Sequence, residues 1–157
     1  MRLPDFILDN LEPIVQEWEN FARTLTSPGK PLDIEALRDH AEQMLWTIAE
    51  DLNNKQSSLG QVEKSQGIGG PQGSTAAKTH AITRLMSGVT IDQLVAEFRA
   101  LRASVIKLWL RQEKKRALQL EDMVRFNEAI DQALAESITS YTKEVQALQC
   151  FSWYFGT

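Results

Sequence analysis

The sequence predicts an all-α domain of five or six packed helices ending in a long antiparallel helical hairpin. Three observations predict it. Apolar side chains recur at alternating steps of three and four along most of the chain, the spacing that keeps them on one face of a helix. Capping residues, glycines and prolines punctuate these runs. No segment sustains the two-residue alternation of a half-buried strand, and no internal repeat is found.

Taken in order, Ile7, Leu11, Ile14, Trp18, Phe21 and Leu25 share one helical face. Pro13 interrupts that run, so it is either one kinked helix or two helices with Pro13 in the first turn of the second. TSPGKP at 26–31 ends the segment. Asp33 is the expected N-cap of a helix buried through Ile34, Leu37, Ala41, Met44 or Leu45, Ile48 and Leu52. Residues 54–73 hold five of the eight glycines and few large apolar groups, which predicts a mobile connection with a helical turn around Leu59 to Lys64. A short helix follows from about Ser74 to Ser87 and stops at Gly88. Thr90 and Gln93 form a capping box for a helix running to about Gln112 on Ile91, Leu94, Val95, Phe98, Leu101, Val105, Leu108 and Trp109. After the charged bend RQEKKR comes the last helix, with Met123, Phe126, Ile130, Leu134, Ile138, Tyr141, Val145 and Leu148 as its stripe.

Composition narrows the function classes. The chain has 157 residues, 43% hydrophobic and 24% charged, ordinary values for a single globular domain. A fold of this length buries roughly 70% of its unfolded surface and needs no covalent staples. Seventeen basic and twenty-one acidic side chains give a net charge of −4, the wrong sign for a chain that grips phosphate backbones, so nucleic acid is not the expected partner. Cys150 is the sole cysteine, which excludes an internal disulfide and a multi-thiolate metal site. Asp5, Asp9 and Glu12 interrupt any apolar leader, and no window reaches the roughly 20 apolar residues of a membrane helix. A cytoplasmic protein without a membrane partner is expected.

Catalytic motifs are absent: the sequence has no HExxH, Walker loop, GxSxG elbow or EF-hand loop, and GIGG at 67–70 follows no strand. No catalytic residue and no metal ligand is assigned. Of the two histidines, His40 sits among charged neighbours and reads as a helix-surface residue. His80 has Arg84 one turn further on the same face. A lone histidine on a short helix ahead of two long ones could serve as a proximal haem ligand. It could also be a phosphoacceptor, although it is followed by Ala81, Ile82, Thr83 and Arg84 and not by the Leu-Lys-Gly usual in phosphotransfer bundles, or a structural group bonded to a carbonyl or carboxylate. Arg99 and Arg102 border the packed face and are expected to pair with Glu128, Asp131 or Glu136. His80, Arg84, Arg99 and Arg102 are thus the candidate signal or ligand site. The basic run Lys107, Arg111, Lys114, Lys115 and Arg116 reads as cations offsetting a helix C-terminus.

The stripe on the last helix is longer than one small bundle covers, so part of it should face a second chain. With Ile106 and Leu110 from the preceding helix, Phe126, Ile130, Leu134, Ile138 and Tyr141 make the candidate homodimer interface. Residues 1–149 form the single domain, and 150–157 are an aromatic tail, CFSWYFGT, without a charge. That tail should fold back onto the domain or bury itself against another chain.

Three stretches, LRDHAEQMLWTIAEDL at 37–52, QLVAEFRALRASVIKLW at 93–109 and RFNEAIDQALAES at 125–137, together resemble one family. It is the RsbRD-type N-terminal domain that precedes the catalytic part of many bacterial sensor histidine kinases and occurs in stressosome proteins. The resemblance spans about residues 1–146. It implies a globin-like helical fold, usually without haem, that dimerises through its long C-terminal helices and passes a signal to a downstream kinase domain or partner signalling protein. Kinase-linked members continue into a phosphoacceptor segment and an ATP-binding domain, and residues 1–157 contain neither. The expected role is binding and signal transmission, not turnover.

Overall fold

A computed structural model describes residues 1–25, 33–54, 75–112 and 120–155. These residues form six α-helices and no strand: α1 Leu3–Asp9, α2 Leu11–Ala22, α3 Ile34–Asn53, α4 Ala76–Met86, α5 Ile91–Gln112 and α6 Leu120–Phe155, with a 3-10 turn at Arg23–Leu25 after α2. None of these helices is long and apolar enough to cross a membrane. The turn at 26–31, the connection at 55–73 with GIGG and the segment Leu59 to Lys64, and the bend at 113–116 lie outside the described residues.

Local chemistry sets the boundaries. Asn10 separates α1 from α2: its amide Nδ2 donates to the Phe6 carbonyl at 2.8 Å, and its backbone N–H to Ile7. Pro13 then occupies the first turn of α2, where a missing N–H costs nothing. The Asp33 carboxylate accepts from the Ala36 N–H at 3.1 Å, and the Thr75 hydroxyl from Lys78 at 3.2 Å, so α3 and α4 begin on side-chain caps. Gly88 ends α4 with φ 81°, a left-handed turn that a Cβ would strain, and the Val89 N–H closes back onto Arg84 O. The reciprocal Thr90–Gln93 box that opens α5 measures 3.0 and 3.3 Å.

Packing joins these helices around one core. α1 lies on α3, α2 lies between α3 and α5, and α4 makes its most extensive contact with α6. Leu3, Phe6, Ile7, Ile14, Trp18, Leu45, Leu52, Leu94, Leu101, Trp109, Phe126 and Ile130 are fully buried. Leu3 and Phe6 fall outside the sequence-derived face because α1 is too short to display a period. Phe21 and Leu25 are only partly covered.

The start of α6 is clamped. The buried Asp122 carboxylate accepts from the Leu3 N–H at 3.2 Å and from Arg2 at 2.8 Å, which satisfies an N-terminal donor of α1. Arg125 donates to the carbonyls of Asp51, Leu52 and Asn54, closing the C-terminus of α3. At the far end of α6 the large apolar side chains are exposed. Residues 150–155 are its last turns, not a separate tail. Phe151, Trp153, Tyr154 and Phe155 are 58–85% exposed, so the aromatic end does not fold back.

Candidate functional site

His80 and Arg84 sit one turn apart on the face of α4 that enters the protein, flanked by the buried Ala77 and Ala81. These alanines let α4 approach α6 closely, where the buried Ser137 hydroxyl donates to Ala77 O at 2.6 Å. Thr75, the N-cap of α4, donates to Glu136 at 3.0 Å. Facing α4 from α5 is Glu97, and its Oε1 accepts from Arg84 Nε at 2.9 Å with both side chains 1% exposed. The Glu97 carbonyl also accepts from the Trp18 indole at 3.1 Å, bringing α2 to the same residue.

The His80 ring is fully enclosed. Trp18, His40 and Phe98 lie around it with centroids at 5.6, 5.7 and 6.0 Å. Burial, with smaller contributions from His40 and Arg84, lowers its pKa to about 3, so it is neutral at pH 7. The 3.7 Å approach of Nε2 to Glu97 Oε2 is therefore not an ion pair. Burial pushes the Glu97 carboxyl up, and Arg84 opposes it. Both His80 nitrogens, Glu97 Oε2, Arg84 Nη2 and His40 Nδ1 have no hydrogen-bond partner among the described residues. Native interiors rarely leave such groups unpaired, and where they do the position commonly has a task.

The structure divides the candidate site in two. His80 and Arg84 meet Glu97 in the interior, whereas Arg99 and Arg102 lie on the outward face of α5, since two residues along a helix turn a side chain by roughly 200°. Arg102 pairs with Asp131 as expected; Arg99 has no ion-pair partner among the described residues. The stripe assigned to a partner chain also divides. Phe126 and Ile130 are fully buried in the core of the single chain, so a second chain reaches them only if that core opens. Leu134, Ile138 and Tyr141 are half-buried, as is Ile106, and Leu110 is exposed; the Tyr141 hydroxyl donates to Val89 O at 2.8 Å.

His40 is corrected as well. It is half-buried and not a solvated group: α3 packs on α4, which seats His40 edge-on against His80, and burial lowers its pKa. Sequence reasoning missed Glu97 altogether. Its signal was a carboxylate on the buried stripe of Leu94, Phe98 and Leu101, where a solvated charge has no place.

These surroundings do not suit the chemistry of a haem ligand or a phosphoacceptor. Iron at Nε2 would have to displace Glu97, whose Oε2 lies 3.7 Å from it, and His80 is fully buried among Trp18, His40 and Phe98. A phosphoacceptor must be reachable by its partner, and His80 is 0% exposed. Among the described residues no three His, Cys, Asp or Glu side chains are grouped to hold a metal ion.

Comparison with known proteins gives one match. The family model of the RsbT co-antagonist protein rsbRD N-terminal domain covers residues 12–150. No curated protein and no solved structure matches the chain.

Two outcomes follow from the buried cluster. Removing one member of a buried pair strands a charge, so Glu97→Leu should cost about 3–5 kcal/mol in urea unfolding, and adding Arg84→Met should recover part of that loss. The second concerns pH. His80 takes up a proton in the unfolded chain below about pH 6.5 but not in the fold until near pH 3. Its contribution is therefore a loss of stability as pH falls through that window, with a slope approaching about 1.4 kcal/mol per pH unit. Glu97, with its raised pKa, acts in the opposite sense, and His40 in the same sense as His80. The measurement is a difference: between pH 6.5 and 5 the stability of His80→Leu should fall less steeply than that of the wild type, and equal slopes would contradict a neutral buried His80.

Proposed function

The chain belongs to the RsbRD N-terminal domain family, regulatory input domains of stressosome and sensor type, and on that premise we propose that it is a haem-free, globin-like sensory domain that acts as a homodimer. In this reading it works in the bacterial cytoplasm by binding and not by turnover. Its output passes through α6 to a histidine kinase domain or a partner signalling protein of the two-component or stressosome kind. The enclosed setting of His80 supports the haem-free alternative. Two contacts support the antiparallel hairpin: Tyr141 bonds Val89 and Asp131 pairs with Arg102, so stepping back along α6 means stepping forward along α5.

One observation carries the reading. α4 carries His80 and Arg84 on its buried face and is also bonded, at Ala77 and Thr75, to Ser137 and Glu136 in the middle of α6. A change in charge, hydrogen bonding or packing at His80, Arg84 and Glu97 must move α4, and α4 cannot move without disturbing α6. The half-buried Leu134, Ile138 and Tyr141, continued by Val145 and Leu148, then offer a seam of coiled-coil spacing to a second copy.

Hydrogen exchange tests the relay. The subtle variant Glu97→Gln should speed exchange in α6 around Ser137 by more than it does in α1 or α3; a uniform increase would mean simple destabilisation. Light scattering tests the dimer. The wild type should be dimeric at micromolar concentrations, and Ile138→Asp, which puts a charge costing several kcal/mol into the seam, should leave a folded monomer. A monomeric wild type would refute the dimer.

A further inference from the structure

Two polar atoms face each other inside the protein at a distance that suits no hydrogen bond. His80 Nε2 and Glu97 Oε2 lie 3.7 Å apart, both side chains are 1% exposed, and neither atom has a hydrogen-bond partner among the described residues. A direct bond from a ring N–H to a carboxylate closes at about 2.9 Å. A single oxygen between them, about 2.8 Å from each and with a tetrahedral angle, holds them about 4.6 Å apart. The observed spacing falls between these values, roughly 0.8 Å too long for the first and roughly 0.9 Å too short for the second. Swinging the imidazole is opposed by Trp18, His40 and Phe98, which surround the ring at 5.6, 5.7 and 6.0 Å, ordinary distances of aromatic contact. The difference therefore falls to the spacing of α4 and α5.

Charge decides what fits between the two atoms. Arg84 and Glu97 form an ion pair through Nε and Oε1, and His80 is neutral at pH 7, so the three side chains carry no net charge. An anion beside His80 would meet Glu97 Oε2, and a cation would meet the Arg84 guanidinium, with no further charge to compensate either. The polar atoms without a partner need both kinds of hydrogen bond. Glu97 Oε2 accepts, Arg84 Nη2 donates, and a neutral imidazole donates at one nitrogen and accepts at the other. A hydroxyl meets these demands, since it donates and accepts at one oxygen.

We infer that the His80–Glu97 pair is an internal binding site for one small uncharged molecule bearing a hydroxyl, and that its entry moves α4 away from α5 into a second bonded position. Water and a short alcohol share that chemistry. In the closed position His80 Nε2–H donates directly to Glu97 Oε2; in the bridged one the oxygen stands between them. The two differ by roughly 1.7 Å, within the shift of about 1–2 Å by which packed helices switch. The Arg84 bond persists in both, because its long side chain follows the carboxylate, whereas the short His80 side chain moves with the backbone of α4. The inference rests on the relay proposed above, in which α4 passes its movement to α6, and names what drives it.

Nuclear magnetic resonance on the whole chain, isotope-labelled in its histidines, tests the site with water and methanol as the probes. The carbon-bound ring protons of His80 do not exchange with solvent, so cross-relaxation between them and a probe reports a molecule held beside the ring. A molecule at Nε2 reaches the protons on both Cδ2 and Cε1, whereas one at Nδ1 reaches only the proton on Cε1. The expected result in buffer is a bound-water signal at both protons. Added methanol either leaves it unchanged, which names water as the ligand, or replaces it with a signal from the methyl group, which names a short alcohol. Raising the hydrostatic pressure, which favours filled internal space, should strengthen the signal and shift the backbone amides of His80 and Ser137 together. No signal from either probe, or a signal at Cε1 alone, overturns the site. A signal that strengthens while the His80 amide stays fixed overturns the movement of α4. Failure of the relay reads differently: the His80 amide shifts with the signal, Ser137 does not, and the site stands.

Discussion

The buried contact between Arg84 and Glu97 constrains the rest of the architecture. Taking two charges out of water costs several kcal/mol for each, and their attraction offsets that cost only in good geometry. The 2.9 Å approach of Arg84 Nε to Glu97 therefore fixes how α4 lies on α5. Trp18 bonds the carbonyl of the same Glu97, which registers α2 against the pair, and His40 and His80 meet edge-on, which registers α3. A neutral imidazole is the consequence: a protonated His80 would add a second cation beside Arg84 in a site with a single carboxylate. Four helices meet at this one ion pair, and α6 is held separately, by the Asp122 and Arg125 clamp and by its contact with α4.

Most of the helical framework was legible because the signals are local. Asp33, Thr90 with Gln93, Pro13 and Gly88 each act within one turn of themselves, so their effect can be read from neighbours in the sequence. The candidate site was legible in part. His80 and Arg84 share a face because they are four residues apart, but their partner Glu97 comes from another helix, and no spacing rule joins residues 84 and 97. Arg99 was grouped with them on residue type, although two positions from Glu97 it faces the opposite side. Periodicity showed that Phe126 and Ile130 lie on an apolar stripe with Ile138; it could not show that this chain's own core covers the first two and leaves the third half-open. The clamp of Asp122 and Arg125 joins residues more than seventy positions apart and leaves no mark in the pattern.

Mechanical coupling follows from where α6 is held. Asp122 and Arg125 fix its first turns to α1 and to the end of α3. About 22 Å further on, Ser137 meets α4, and about 27 Å beyond that the helix ends at Phe155. A helix pinned at its start and pushed sideways at Ser137 moves at its end by roughly twice the displacement of α4. The α4 contact is suited to such a push, since Ala77 and Ala81 present little relief and one hydroxyl carries the hydrogen bond between them and α6.

Amplification alone does not make a switch. A ligand or a proton shifts the balance between two positions of α4 only as far as it binds them unequally. The buried cluster supplies that inequality, because its atoms without a partner among the described residues sit on different elements, His40 on α3 included. His80 and Arg84 belong to α4, while Glu97 belongs to α5. Anything that bridges His80 Nε2 and Glu97 Oε2 across their 3.7 Å separation prefers one spacing of α4 and α5 over another. The preference is strengthened because the site is buried: an electrostatic contact in the interior changes more steeply with distance than the same contact in water. A small change of register at the cluster is thus an energetically distinct state, and in the proposed reading the clamped helix carries it toward the exposed end of α6.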